Sequence, residues 1–294
     1  MQAIGIDMGG TTIKMGLFDE QGACQGKWAI PTRVAENGKA VVTDIATAIH
    51  KEFRQRSIDI TEVVGIGMGV PGIVSNGVVK RCVNVGWVEK PLKQELESAL
   101  SLPVEIANDA NVAALGEVWQ GGGKGYMQAV LLTLGTGIGS GVIIDGNIVV
   151  GKNGLAGEVG HMCVNPEETL PCTCGGYGCL EQYASATGIA RLAGQKSAKE
   201  SFMAAQAGDE WASGVIKLAA CYLGRAFAAI SLMIDPEVFI IGGGVSGAGT
   251  FFTEMIETHY RKSLTITNQG ARIQLAKLGN DAGIYGAAKL VLKK

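Results

Sequence analysis

Charge is scarce in this sequence. Charged residues make up 18% of the 294-residue chain and leave a formal net charge of −2, where an average soluble protein has roughly 25% charged residues. No run of lysine and arginine stands out, so no basic field is available for a phosphate backbone, and nucleic acid is not an expected partner. The amino terminus MQAIGIDMGG lacks the positive flank and long apolar core of a secretory signal, because Asp7 interrupts the apolar run at once. The expected location is therefore the cytoplasm. No apolar stretch reaches the length of about twenty residues that a membrane span needs. The nearest candidate, Leu218 to Ile234, contains Arg225 and closes at Asp235-Pro236, which reads as a buried helix and not a membrane contact.

Apolar residues and glycine are plentiful instead. Hydrophobic residues reach 47%, enough for a sizeable core, and a chain of this length more often divides into two lobes than enlarges one. The 44 glycines are about twice the usual share and follow neither a collagen period nor a low-complexity tract, so they punctuate ordered elements. Ala3 to Asp7 reads as a short buried strand, Gly9-Gly10-Thr11-Thr12 as a tight turn and Ile13 to Phe18 as the returning strand. Ala129 to Leu134, the turn Gly135-Thr136-Gly137 and Ser140 to Ile144 repeat that design. Gly9 with Gly135, and Asp19 with Asp145, stand at one common spacing, so the chain reads as internally duplicated.

Each hairpin opens a lobe of alternating strands and helices. The first contains a helix over Lys39 to Arg56 and a strand over Val63 to Met68. The second contains an alanine-rich helix over Ala212 to Ile234, a strand over Glu237 to Ile241 and a helix over Gly249 to Arg261. The boundary falls near the linker-like GGGKG run. A first lobe over 1–118 and a second over 119–280 are expected, with a helix at about 281–294 returning to the first lobe.

A nucleoside triphosphate needs backbone N–H groups able to close on its oxygens, and glycine permits that approach. Both hairpin tips supply it. In the first, Gly9, Gly10, Thr11, Thr12 and Lys14 are candidates for phosphate, with Asp7 reaching Mg²⁺ through its water shell. In the second they are Thr136 and Gly137. The turn Gly242-Gly243-Gly244 between a strand and a helix suits an adenosine or phosphate contact, Gly243 and Gly244 being the candidates, although glycine is also common where a helix packs closely on a strand. Asp109, where Val104 to Ala107 runs into Asn108-Asp109-Ala110-Asn111, suits a carboxylate that accepts a proton from an attacking hydroxyl. The competing use of Asn108 or Asp109 is to cap the helix that follows, which is the commoner role at such a position. Glu158 and His161, set among glycines, and Glu181 are candidates to bind the hydroxyls of a hexose.

Cys172, Cys174 and Cys179 cluster in a chain expected in a reducing compartment, and with His161 they form the Cys₃His set of a closed, structural zinc site. Cys163 is a rival fourth ligand. The intervening Gly175-Gly176-Tyr177-Gly178 supplies the turns that bring a short loop around one ion.

Taken together these residues resemble the ROK family of sugar kinases and repressors, within the actin-like or hexokinase-like ATPases, and in particular its bacterial glucokinase branch. The likeness rests on Asp7 to Lys14, Val70-Pro71-Gly72, Asn84 to Trp87, Asn108 to Asn111, Leu134 to Gly139, Gly157 to His161, Cys172 to Glu181 and Asp235 to Ser246. Two positions depart from the pattern: Ser140 stands where a third glycine is common, and Ala107 replaces a frequent acidic residue. The resemblance implies a two-lobed α/β fold of the actin-like, ribonuclease H-like kind, with duplicated mixed sheets and an interlobe cleft. It implies Asp109 as catalytic base, with Gly72, Asn84, Asn108, Glu158, His161 and Glu181 at the sugar. It also implies ATP with Mg²⁺, a structural Zn²⁺ on His161, Cys172, Cys174 and Cys179, and usually a homodimer. The expected reaction is phosphorylation of glucose. Kinases for N-acetylmannosamine, fructose or allose, and a non-catalytic sugar-responsive regulator, are the alternatives.

Overall fold

In a computed structural model, which describes residues 1–292, the two glycine turns sit at the tips of antiparallel hairpins, one in each of two units. The first unit comprises Met1–Gly125, Asn147–Ala156 and the segment from Asn280 onward; the second comprises Tyr126–Gly146 and Gly157–Gly279.

In the first unit β1 (Gln2–Met8) and β2 (Thr12–Asp19) pair from Gln2 opposite Asp19 to Met8 opposite Ile13. β3 (Cys24–Pro31) extends the antiparallel side. On the other side β4 (Val63–Val70) lies parallel to β1 and β8 (Val104–Asn108) parallel to β4, giving the order β3-β2-β1-β4-β8. Between the last two strands the chain makes a smaller antiparallel sheet of β5 (Ile73–Ser75), β6 (Val78–Cys82) and β7 (Trp87–Lys90). Helix α1 (Val41–Arg56) buries Val41, Ile45, Ile49 and Phe53 at helical spacing, and α2 (Leu92–Leu100) buries Leu92, Leu96 and Leu100. These stripes join Ile4, Ile6, Met8 and Met68 in one core on one face of the sheet.

The other face is built on missing side chains. Ideal Cβ atoms on Gly5 and Gly67 would lie 1.8 and 1.7 Å from the carbonyl oxygens of Ile284 and Ala287. Only glycine lets the C-terminal helix (Ala282–Val291) lie so close to β1 and β4. Helix α3 (Asp109–Gln120) meets the same helix in the same way, because a Cβ on Gly286 would be 1.6 Å from the Val112 oxygen and one on Gly116 2.2 Å from the Ala282 oxygen. The last two residues of the helix expected over 281–294 lie outside the described residues.

The second unit repeats the core of this topology. β9 (Ala129–Leu134) and β10 (Ile138–Ile144) form the hairpin, β11 (Val238–Gly242) lies parallel to β9, and β12 (Arg272–Leu275) parallel to β11. The helices are α4 (Glu181–Ala184), α5 (Ala186–Ala193), α6 (Ala198–Gln206), α7 (Glu210–Ile234) and α8 (Thr250–Ser263). By length and composition α7 could cross a membrane. It is instead a core helix: Ala219, Ala220, Leu223 and Phe227 are fully buried, and Phe227 stacks on Phe239 of β11 at 4.1 Å. Asp209 caps its start and Asp235, in the left-handed conformation before Pro236, ends it.

The first tip spans four residues between Met8 and Ile13, the second only three between Leu134 and Ile138. The common spacing therefore holds up to the tips and slips by one residue after them. Asp145 is not the counterpart of Asp19; it follows its strand, whereas Asp19 ends β2 and accepts the N–H groups of Gln21 and Ala23.

Candidate active site

Ligands of open α/β sheets gather where parallel strands end, and the register of the first unit aligns three such ends. Asp7 stands opposite Gly69, and Gly69 opposite Ala107, one residue before Asn108. The Asp7 carboxyl is half-buried against the C-terminal helix, where a Cβ on Gly283 would come within 2.5 Å of its carbon. Burial raises its pKa above the ordinary carboxylate value, Lys14 counteracts that rise and Asp281 adds to it. Lys14, opposite Asp7 in the hairpin, donates to the Asn280 carbonyl at 2.8 Å.

At the adjoining tip the Gly9 N–H donates to the Thr12 carbonyl at 2.9 Å, while Gly10 and Thr11 are exposed. Thr32 holds the tip from outside through its hydroxyl and its N–H. Asn84, in a short turn after β6, is exposed, and its amide nitrogen would be 3.7 Å from a Cβ on Gly10. Trp87 is buried and donates to the Asn37 carbonyl at 2.8 Å, which gives it a packing role.

The start of α3 separates two adjacent polar side chains. The Asn108 oxygen accepts from the N–H groups of Ala110 and Asn111 at 2.9 and 3.2 Å, and its amide donates to the Gly72 carbonyl at 3.1 Å. Asn108 is thus the helix cap and the brace of the Gly72 turn. Gly72 has φ 119°, and its missing Cβ would be 2.1 Å from the Arg81 carbonyl. Asp109, half-buried, is the first residue of the helix and also accepts from the Ala110 N–H at 2.9 Å. The positive end of the helix dipole stabilises negative charge there.

In the second unit β9 and β11 end side by side, Gly242 being opposite Thr133. A Cβ on Gly243, φ 79°, would be 2.6 Å from the Leu134 carbonyl, whereas Gly244 faces open space. Thr136 is exposed. Gly137 is a glycine because of Glu181: a Cβ there would be 2.2 Å from its carboxylate, which accepts the Ile138 N–H at 2.9 Å. The other Glu181 oxygen accepts from the Thr173 hydroxyl at 3.1 Å, so this side chain joins the hairpin tip to the cysteine loop. Glu158 and His161 are both exposed. Ser140, the departure from the glycine pattern, donates to the Gly157 carbonyl and accepts from the Val159 N–H at 3.3 Å. It fixes the segment that carries Glu158.

The ligand atoms of His161, Cys172, Cys174 and Cys179 all lie within 4.8 Å of one another. The Cys174 and Cys179 sulfurs are 3.7 Å apart, close to the edge of about 3.8 Å that Zn–S bonds of about 2.3 Å give in a tetrahedron. Cys172 is 3.8 Å from the His161 Nδ1. The loop is also prefolded, with the Gly176 N–H donating to the Cys174 sulfur at 3.4 Å and the Cys172 N–H to the Gly176 carbonyl at 2.7 Å. The Gly176 N–H lowers the Cys174 thiol, whereas burial, then the neighbouring sulfurs, push Cys179 up to about 12. A divalent cation would relieve this crowding of thiols. Among the described residues Cys163 is outside this cluster.

Thr32, Gly283, Asn280 and Thr173 escaped the sequence reading. Thr32, Asn280 and Gly283 are remote along the chain from what they meet, and Thr173, eight residues before Glu181, is an unspecified position between two cysteines; a glycine inside the C-terminal helix pattern is the one available hint.

A profile of the ROK family matches residues 3–294. The chain belongs to the ROK family. It is 43% identical to a glucokinase of Halalkalibacterium halodurans over 98% of this chain and 94% of that protein. Among solved family structures, a ROK hexokinase from Thermus thermophilus superposes with a TM-score of 0.88 at 34% identity, covering 98% of this chain and 97% of that one. A ROK family glucokinase from Streptomyces griseus, in complex with glucose and AMPPNP, superposes with a TM-score of 0.79 at 33% identity and covers 99% of both chains. The fold is accordingly the actin-like α/β fold of ROK sugar kinases.

Proposed function

We propose that this chain is an ATP-dependent glucokinase in which Asp109 accepts the proton of the attacking sugar hydroxyl. The observation that carries the reading is the division of roles at the start of α3. Asn108 caps the helix, and Asp109 occupies its first position, just past β8 and beside the end of β4. The substrate pair is supported by the full-length likeness to a glucokinase and by the glucose and AMPPNP held in the Streptomyces griseus relative.

In the transfer, the sugar hydroxyl oxygen bonds to the γ-phosphorus, the bond from that phosphorus to the departing ADP oxygen breaks, and the hydroxyl proton passes to Asp109. The amides and hydroxyls of Gly10 to Thr12, with Lys14, hold phosphate oxygens, and Gly9 closes the tip through its bond to the Thr12 carbonyl; Thr136, Gly137, Gly243 and Gly244 are the nucleotide contacts of the second unit. Mg²⁺, when bound, neutralises phosphate charge, and Asp7 would hold it through its water shell. Asn84 of the first unit and Glu158, His161 and Glu181 of the second are the hydroxyl partners that set specificity, and within the first unit Asn108 braces the Gly72 turn. His161, Cys172, Cys174 and Cys179 would hold a structural Zn²⁺, which fixes the loop and takes no part in the chemistry. The enzyme operates in the cytoplasm, a reducing compartment that suits its free thiols, and by family resemblance it is a homodimer.

For Asp109→Asn we expect kcat to fall by roughly 10²- to 10⁴-fold, the usual contribution of a general base, with glucose affinity nearly unchanged by calorimetry. Near wild-type turnover would remove Asp109 from the mechanism.

A further inference from the structure

The reading of the first hairpin as a phosphate turn leaves open what keeps its amides aimed outward. In a trans peptide the C=O and the following N–H point in opposite directions, so whatever holds a carbonyl of the tip also aims the next amide. The Thr32 hydroxyl donates to the Gly9 carbonyl at 2.7 Å, and the Thr32 N–H donates to the Thr11 carbonyl at 2.9 Å. These two bonds turn the N–H groups of Gly10 and Thr12 away from Thr32. The Thr32 N–H bond continues the β2–β3 ladder past Pro31, which stands opposite Thr12, whereas the hydroxyl bond is additional to that ladder. In the second unit the first glycine of the tip is held in the same sense, its Gly135 carbonyl accepting from the Ala186 N–H at 2.8 Å. There the donor is backbone; in the first hairpin half of the hold depends on one hydroxyl.

We infer that Thr32 is a positioning residue for ATP, setting the orientation of the phosphate-binding amides of the first hairpin without itself touching the substrate. The inference rests on the phosphate-turn reading, and the variants separate the two. Thr32→Val keeps shape and backbone N–H but deletes the hydroxyl donor; Thr32→Ser restores it. Loss of one neutral hydrogen bond should raise KM for MgATP about three- to tenfold, leave KM for glucose and the melting temperature close to wild type, and be reversed in Thr32→Ser. Equal shifts in both KM values, or no rescue by serine, would make Thr32 merely structural and overturn the inference. If Thr32→Val leaves KM for MgATP unchanged while Thr12→Ala raises it, the inference fails and the phosphate turn stands. If Thr12→Ala also has no effect, both fall.

Discussion

Asp7 lies against Gly283 of the C-terminal helix and opposite Lys14, and burial holds its carboxyl above the ordinary range. An acid whose pKa rises on folding keeps its proton more tightly in the folded state, so its ionised form works against the fold. Stability is then lost as pH climbs from the unfolded pKa of about 3.9 through the raised folded value, and the loss stays constant above it. Asp7→Asn should therefore melt higher than wild type at pH 7 to 8, with the gap closing toward pH 4, while MgATP binding weakens. A variant that melts lower, by an amount independent of pH, would refute this trade of stability for cation binding. The same scale shows where local sequence was ambiguous. Asn108 and Asp109 could each cap α3; β8 continues through Asn108, and that register assigns the cap. Gly137 carries a phosphate-turn signature, yet its nearest constraint is the Glu181 carboxylate, a neighbour that no local pattern announces.

At the scale of elements, the strands and helices with clean periodicity were legible. The expected strand Val63 to Met68 forms as Val63–Val70, the helix Lys39 to Arg56 as Val41–Arg56, and the helix from Ala212 begins at Glu210. β3 and the small sheet of β5, β6 and β7 were not, because their polar, half-exposed alternation carries little hydrophobic signal. The glycine floor offers a test of packing against propensity. Alanine at Gly286 would favour the isolated helix by about 1 kcal/mol, but its Cβ would meet the Val112 carbonyl at 1.6 Å, and backbone cannot swing aside. Overpacking of this kind costs up to about 3 kcal/mol, so Gly286→Ala should lower the denaturant midpoint; an unchanged or higher midpoint would contradict the close approach. In the cysteine loop, Cys174→Ser should abolish stoichiometric zinc in metal analysis and weaken glucose binding through His161. A loss of about 2 kcal/mol in a domain of this size would lower its melting temperature by roughly 4–8 °C. Purified wild-type protein without zinc would contradict the assignment.

Over the whole molecule the duplication read from two glycine turns reappears as two sheets with one strand logic, an antiparallel hairpin followed by two parallel strands. What sequence could not provide was the neighbourhood of each hairpin: Thr32 reaches the first tip and Gly283 the Asp7 carboxyl beside it, while Glu181 and Ala186 reach the second tip, all from other parts of the chain. The residues proposed to choose the sugar are likewise held by neighbours: Ser140 fixes the segment of Glu158, Thr173 binds Glu181, and His161 stands among the cysteines of the loop. The most direct test of the function is steady-state ADP release by the wild-type protein with MgATP and, in turn, glucose, mannose, fructose, N-acetylglucosamine and N-acetylmannosamine. The account predicts hexose-dependent release with the highest kcat/KM for glucose. Release that is independent of any sugar, or a higher kcat/KM for one of the N-acetylated sugars, would contradict it.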